Sequence, residues 1–575
     1  MKKKNKKQLS FTFTKKLIFG SVIYLVFLLI FYYFNLPIFN FGNPGFYFTL
    51  WLIFGYVIAV ILALNSNRII QKKLNGKFTK IKYYKSLNKF EKEVVSAEEK
   101  FSKGSLFFQG VFYSLVFVIG ILILFSIAGS KLFQSKSYYK QLEITDATEE
   151  ELKDVFNYEN GKVLLPVIDK DLAFKLAQAS LSDYGAQYTI SYDNFTLISV
   201  TRNGEDQLVR IAPLEYSNFF VSLSRMNQGT IGYIEVNVVT KETKLVEVQG
   251  GLKYMPSSIL NYDLDRYIRF NYPTQMYDEY NFEIDDEGNP YWILPTYKKE
   301  IGVINGPTAN GVILVNPVTG DINKYKIGEE PKWVDRTVNE SIIDQQATNA
   351  LRYKNGFFNV HFGQKKEVFQ LSDGYNYFIK NGQTYYVSCV TSPNENDQTS
   401  IGFVTINLKT REATRYDVNG ITEMRAREIA MNDARVKAQA LNATWPILIN
   451  YKDVETYFIV LKNEVQSQKI VFINVENGEL VAMGNTIEAA KAEYDKLLAD
   501  SGNSSVDTKE ITGEVIRIRD LGNTIEFILK DINDKYFVVS PSISLDARFI
   551  QVGDNVTVKC NDYGTYYYVL ECKKN

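Results

Sequence analysis

"LVNPVTGDINKY", residues 314–325, reads as a strand, a tight polar turn and a returning strand. The pattern comes back as "EVNVVTKETKLV" from residue 235, "TINLKTREATRY" from 405 and "FINVENGELVAM" from 472. Aligned on Asn237, Asn316, Asn407 and Asn474, each turn continues x-x-[Thr/Asn]-[Gly/Lys/Arg]-[Asp/Glu]. Thr or Asn hydrogen-bonds the turn backbone, the next position suits a residue tolerating an unusual φ, and the acid opens the return strand facing water.

Working outward, each hairpin has the same upstream context. Helical patterns at 169–183, 257–270, 339–353 and 422–441 each precede two strand-like stretches and then a hairpin. The two stretches are "QYTISY" and "FTLISVT" in the first case, "YNFEID" and "NPYWILP" in the second, "YNYFIK" and "QTYYVSCV" in the third, and "WPILINY" and "ETYFIVLK" in the fourth. A helix laid across one face of an antiparallel sheet is the expected unit, with boundaries at 169–250, 251–335, 336–420 and 421–500. Such units are expected to pack side by side. The plan of a helix followed by a meander with "V-[N/D]-x-x-T-G-E"-like turns resembles the PepSY domain family over roughly residues 169–500. That resemblance implies non-catalytic interaction or regulatory modules of bacterial membrane and secreted proteins, and it brings no catalytic residues with it.

Ahead of these units lie three uncharged apolar runs, 17–34, 46–64 and 106–129, each about long enough to cross a hydrocarbon core of roughly 30 Å as a helix. Seven Lys and no acid fill residues 1–16, and eleven Lys or Arg against four Glu fill the loop 66–105. Of the chain's 65 basic and 65 acidic side chains, these leave 47 and 61 for residues 130–575. The positive-inside rule then places the N-terminal tail and the loop 66–105 in the cytoplasm and everything after residue 129 outside a bacterial cytoplasmic membrane. Residues 130–168 read as a linker opening the external region.

After a polar stretch at 498–508, five strand-like segments fill 501–575, with "VGDNVTV" before the fourth; they look like a small OB-type barrel. Residues 509–575 carry nine basic and ten acidic side chains, which argues against the basic groove that nucleic acid requires. The expected fold class is therefore a membrane-anchored, multidomain α+β chain: three transmembrane helices, tandem helix-plus-sheet modules and a terminal β-barrel.

Chemistry is sparsely marked. The one histidine, His361 in "FNVHFG", alternates with apolar residues as a strand residue would, and one His does not make a His-based metal site. No zinc-protease, nucleophile-elbow or phosphate-loop motif is present. Cys389, Cys560 and Cys572 are too few for a disulfide framework and read as reduced structural residues. Asp285, Asp286 and Glu287 before Gly288 read as a turn. No catalytic, cofactor-binding or metal-binding residue is assigned. Tyr291, Trp292, Tyr385, Tyr386, Tyr457 and Phe458 are the candidate partner-binding residues, because adjacent aromatics on a strand put one ring inside and one outside. The expected function is a non-enzymatic envelope scaffold engaging another membrane or secreted protein. Two alternatives stand beside it: an accessory subunit of a membrane transport or secretion complex, packing through Gly110, Ser114 and Gly120, and a hydrolase of wall polymer or peptide using carboxylates such as Asp285–Glu287.

Overall fold

A computed structural model describes residues 2–74, 89–156, 165–202, 205–363, 366–380, 382–394, 398–463, 467–501, 508–522, 524–541, 543–562 and 566–575. Part of the expected basic loop (75–88), most of the polar linker (502–507) and the tip of the last hairpin (563–565) lie outside the described residues.

Three long helices open the chain: α1 (Lys2–Asn35), α2 (Pro44–Leu74) and α3 (Lys89–Ala128). Helix continues through the basic tail and both flanks of the basic loop. Among the described residues, two apolar stretches are long enough to cross a membrane, Ile18–Asn35 and Gln109–Ala128. Of the three expected spans the first and third reach that length, whereas the described apolar stretch of α2 is the shorter Pro44–Ile58. Ser114, expected to face a foreign helix, is used inside the chain: it accepts from Trp51 Nε1 at 2.9 Å and donates to the Val111 carbonyl at 2.8 Å.

The segment expected as a linker is built into the fold. It holds α4 (Lys131–Tyr139), the strand Ile144–Asp146 and the helix Glu149–Val155. Ile144–Asp146 joins the edge of a downstream sheet in parallel, against Ala413–Tyr416.

Four antiparallel sheets follow, each with its four main strands laid side by side in chain order. The first has Thr196–Arg202, Glu205–Pro213, Thr230–Asn237 and Thr243–Leu252. The second has Asn281–Ile284, Pro290–Ile301, Asn305–Val315 and Ile322–Tyr325. Asn376–Lys380, Gln383–Thr391, Gly402–Asn407 and Ala413–Tyr416 make the third. Ile447–Tyr451, Val454–Lys462, Ser467–Asn474 and Val481–Gly484 make the fourth. The helices Lys170–Ser180, Leu264–Asn271, Glu340–Tyr353 and Glu423–Asn432 precede them in turn, each opened by a side chain capping a backbone N–H: Asp169, Asp263, Asn339 and Thr422. One stretch departs from expectation: Tyr188–Thr189 pairs with Glu215–Tyr216 outside the first sheet, whose second strand is Glu205–Pro213.

The turns between third and fourth strands show why the motif has its composition. Asn316 Oδ1 accepts from the N–H groups of Val318 and Thr319, and Gly320 N–H donates to the Asn316 carbonyl at 2.9 Å. Asn237 and Asn407 repeat this network, with Lys241 and Arg411 at the Gly320 position. All three positions have positive φ: 81° at Gly320, 68° at Lys241 and 67° at Arg411. The fourth turn is wider, since Asn474 N–H donates to the Leu480 carbonyl rather than to residue 479.

The sheets pack face to face in pairs. Leu197, Leu208, Ala212 and Ile234 of the first sheet cover the helix Lys170–Ser180. The opposite side, with Ile198, Val209, Ile211 and Tyr233, packs on Phe282, Trp292 and Ile313 of the second sheet. The third sheet lays Tyr386, Val390, Val404 and Ile406 on the helix Glu340–Tyr353. Its other side, with Phe378, Val387 and Phe403, enters the core of the fourth sheet.

The C-terminal strands Thr508–Asp520, Ile525–Leu529, Ile532–Val539, Asn555–Asp562 and Tyr566–Lys574 form a small closed barrel, with Ile532–Val539 and Tyr566–Lys574 pairing in parallel. The helix Ile487–Asp500 packs Ala492 against barrel residues Val538 and Tyr568.

At the other end, the second sheet and its helix sit on the ends of α1 and α3. Phe39 N–H donates to the Pro273 carbonyl at 2.9 Å, and Arg266 Nε donates to the Tyr33 carbonyl at 3.2 Å. The rings of Tyr32 and Phe270 stack at 5.5 Å. Gly302, at φ 62°, lies so close to Gly129 that a Cβ would meet its Cα at 3.0 Å, so only glycine fits this hairpin against the end of α3.

Candidate binding groove

The six aromatics chosen from the sequence do not form a surface. Trp292, Tyr386, Tyr457 and Phe458 are each at most 1% exposed. Their polar atoms are committed inward: Trp292 Nε1 to the Tyr254 carbonyl, Tyr386 Oη to Asp344 and Tyr457 Oη to the Ile421 carbonyl. Tyr291 and Tyr385 are half-buried, against Trp333 and Phe378. The physical reason is that each of these strands is covered on both faces, so alternation leaves neither ring in solvent. The signal was present as near-continuous apolar runs in place of strict alternation, which mark strands buried on two sides.

His361 is corrected as well. It stands in a wide helical turn, Asn359–Gly363, exposed, with its ring 4.2 Å from Phe357. Asp285 closes the hairpin between Asn281–Ile284 and Pro290–Ile301 by accepting from the N–H groups of Glu287 and Asn289. All three cysteines are free and buried, and in the barrel Cys560 faces Val569 while Cys572 faces Val558.

What the fold does bring together is a cleft of about 630 Å³ between the first and fourth units. One wall is the helix Lys170–Ser180 with Phe174 and Gln178, joined by Tyr192; the other carries Arg427, Trp445 and Lys462. Asp169 caps the helix with one oxygen, accepting from Leu172 N–H at 3.0 Å, and holds Lys462 with the other. Asp171 accepts from Tyr192 Oη at 2.6 Å and from Lys462 Nζ at 3.1 Å. These two hydrogen bonds, led by that of Tyr192, hold the Asp171 carboxyl below its usual range. Tyr192 is pushed up to about 12 by burial and by the same carboxylate. Ring contacts continue along the wall, with Phe174 edge-on to Tyr192 at 5.3 Å and Lys170 Nζ over the Tyr192 ring at 4.4 Å. The cleft therefore offers aromatic faces between fixed charges of both signs, which suits a polypeptide segment. Residues 169–192 and 427–462 are far apart in the chain, and no local pattern in the sequence announces their meeting.

Carboxylates with altered protonation lie elsewhere. Glu283 and Asp335 meet at the junction of the first three units, where Asp335 N–H donates to Glu283 Oε2 at 3.0 Å and Ser199 N–H to Asp335 Oδ2 at 3.3 Å. Burial raises both carboxyls, and at 1% and 6% exposure neither is open to a substrate. A second cavity, of about 600 Å³, lies at the end of α1 and is lined by Asp265, Asp278 and Glu279 among others. Burial raises Asp265 and Glu279 there. Among the described residues, no cluster of three His, Cys, Asp or Glu is arranged to hold a metal ion.

No family model matches the chain, and no curated protein does. Among solved structures, it is similar to an ACO/RPE65 chimera at 10% identity, over 68% of this chain and 62% of that one, with a TM-score of 0.14. A likeness at that level carries no argument about fold or function.

Proposed function

We propose that the chain is a non-enzymatic scaffold of a bacterial cell envelope. In this reading α1, α2 and α3 cross the cytoplasmic membrane with the N-terminus inside. Residues 130–575 stand outside, and their PepSY-like units bind a segment of another membrane or secreted protein. The observation that carries the reading is the cleft between the first and fourth units: it is open and aromatic, and it carries both signs of charge. The raised carboxyls of Glu283 and Asp335 are enclosed. The proposed topology draws support from the end of α1 and the end of α3 both meeting the second unit, as two helix ends on one side of a membrane would.

A photo-crosslinking side chain placed in cells at Gln178 and, separately, at Asn442 tests this directly, because these exposed residues stand on the two walls. One shared partner captured from both walls, and lost on Lys462→Glu, is the expected result. Capture from a probe at Gly120 of α3 with none from the cleft would replace this reading with that of an accessory subunit bound through the helices.

The hydrolase reading is favoured by one observation, the raised Asp265 and Glu279 carboxyls lining the cavity at the end of α1. It requires activity on wall polymer or peptide that Asp265→Asn and Glu279→Gln each abolish.

A further inference from the structure

Three phenylalanines stand out where the chain leaves α3. Phe133 is 64% exposed, Phe358 67% and Phe362 79%, and Leu132 beside them is 42% exposed. They come from two segments that the fold holds together. Only Gly129 and Ser130 separate α3 from α4, and Tyr138 Oη donates to the Gly129 carbonyl at 2.9 Å, which fixes α4 against the end of α3. The turn that follows the helix Glu340–Tyr353 lies alongside: Lys131 Nζ is 5.6 Å from the Tyr353 ring centre, and a Cβ on Gly356 would stand 4.0 Å from Ser135 Oγ. Phe358 and Phe362 are themselves 5.9 Å apart. Around this apolar knob stand the exposed cations Lys136, Lys140, Lys354 and Lys366, and the acid Glu367 is held by Lys354 at 2.9 Å.

A cluster of exposed rings ringed by lysines is the composition of a segment that lies in a bilayer interface, rings toward the acyl chains and ammonium groups among the phosphates. We propose that α4 and the turn 356–363 form an amphipathic foot resting in the headgroup region of the leaflet at which α3 ends. The occupant of this face is lipid, because the face is continuous with a helix whose own apolar surface needs lipid, two residues away. The inference rests on the reading that α3 spans. Its consequence is that the external region is held at a fixed tilt over the membrane, with α3 and the foot as two points of support.

Nitroxide accessibility in nanodiscs of phosphatidylcholine and phosphatidylglycerol tests the foot on the full chain. The three native cysteines are buried, so single labels go to Phe358→Cys, Phe362→Cys, Ile123→Cys in α3 and Glu242→Cys in an external turn. The expected result is oxygen-favoured accessibility at 358 and 362, stronger still at 123, and nickel-chelate-favoured accessibility at 242. If 123 reads as lipid while 358 and 362 read like 242, the foot is overturned, the anchor stands, and the aromatic face is left for a protein. If 123 also reads like 242, the anchor itself falls, and the foot with it.

Discussion

Glu423 opens the helix Glu423–Asn432 at the seam between the third and fourth sheets, and only 3% of it is exposed. One carboxyl oxygen accepts from Cys389 N–H at 2.7 Å. Burial pushes the group up to about 7 from 4.5, with backbone hydrogen bonds opposing. For an acid raised in this way the folded state holds its proton more tightly than the unfolded state. The group therefore costs nothing below the unfolded value; stability falls as pH rises from about 4.5 and stops falling once the folded group has ionised above about 7. A difference of that size amounts to about 3 kcal/mol in all, most of it between pH 5 and 8. Glu423→Gln removes the titration and keeps an oxygen for Cys389 N–H. Urea unfolding of the full chain in detergent, followed by tryptophan fluorescence at pH 5 and pH 8, reads the effect as variant minus parent, so that other titrating groups cancel. The variant should exceed its parent by less than about 1 kcal/mol at pH 5 and by about 3 kcal/mol at pH 8. An equal difference at both pH values would refute the reasoning.

Other perturbations probe the seams and turns. Asp495, fully buried, accepts from Tyr451 Oη at 3.0 Å, Lys452 Nζ at 2.8 Å and Asn561 Nδ2 of the barrel at 3.3 Å. Asp495→Ala should cost about 2–3 kcal/mol and speed hydrogen exchange in the barrel strand Asn555–Asp562, which mass spectrometry reads peptide by peptide. At the left-handed turn positions two matched variants should diverge in thermal unfolding. Lys241→Gly relieves the φ of 68° and should be neutral or stabilising by up to about 1 kcal/mol. Arg411→Gly relieves the same strain but loses hydrogen bonds from Nη2 to the Gln141 carbonyl at 3.2 Å and Gln346 Oε1 at 3.1 Å, so it should destabilise by about 1–2 kcal/mol.

Legibility followed distance along the chain. The turns at Asn237, Asn316 and Asn407 were readable because their hydrogen bonds close within five residues, so composition and conformation are one constraint. Helix starts at Asp169 and Thr422 were readable for the same reason. His361 was misread because alternation of rings resembles a strand pattern, whereas Phe358 and Phe362 on either side of it point out of the protein. The clamp of Lys462 on Asp169 and Asp171 left no trace, since charged residues nearly three hundred positions apart carry no mutual signal.

The pairing of sheets also decides where binding surface remains. "TYYVSCV" and "TYFIVLK" are predominantly apolar rather than alternating because one face of each strand meets a helix and the other meets a neighbouring sheet. Tyr386 turns to the helix Glu340–Tyr353 and Phe403, across the same sheet, turns to Tyr457 at 6.0 Å. Sheet faces spent on cohesion in this way have no aromatic surface left to offer a partner. Contact chemistry is displaced to the seams, where helix ends and strand ends of different units meet and side chains retain exposure. Tyr192 illustrates it: at 41% exposed it is a wall of the cleft, although it lies in a loop that no strand pattern singles out. In a chain of this kind, adjacent aromatics on a strand identify cores, and the partner-facing residues belong to the joints between them.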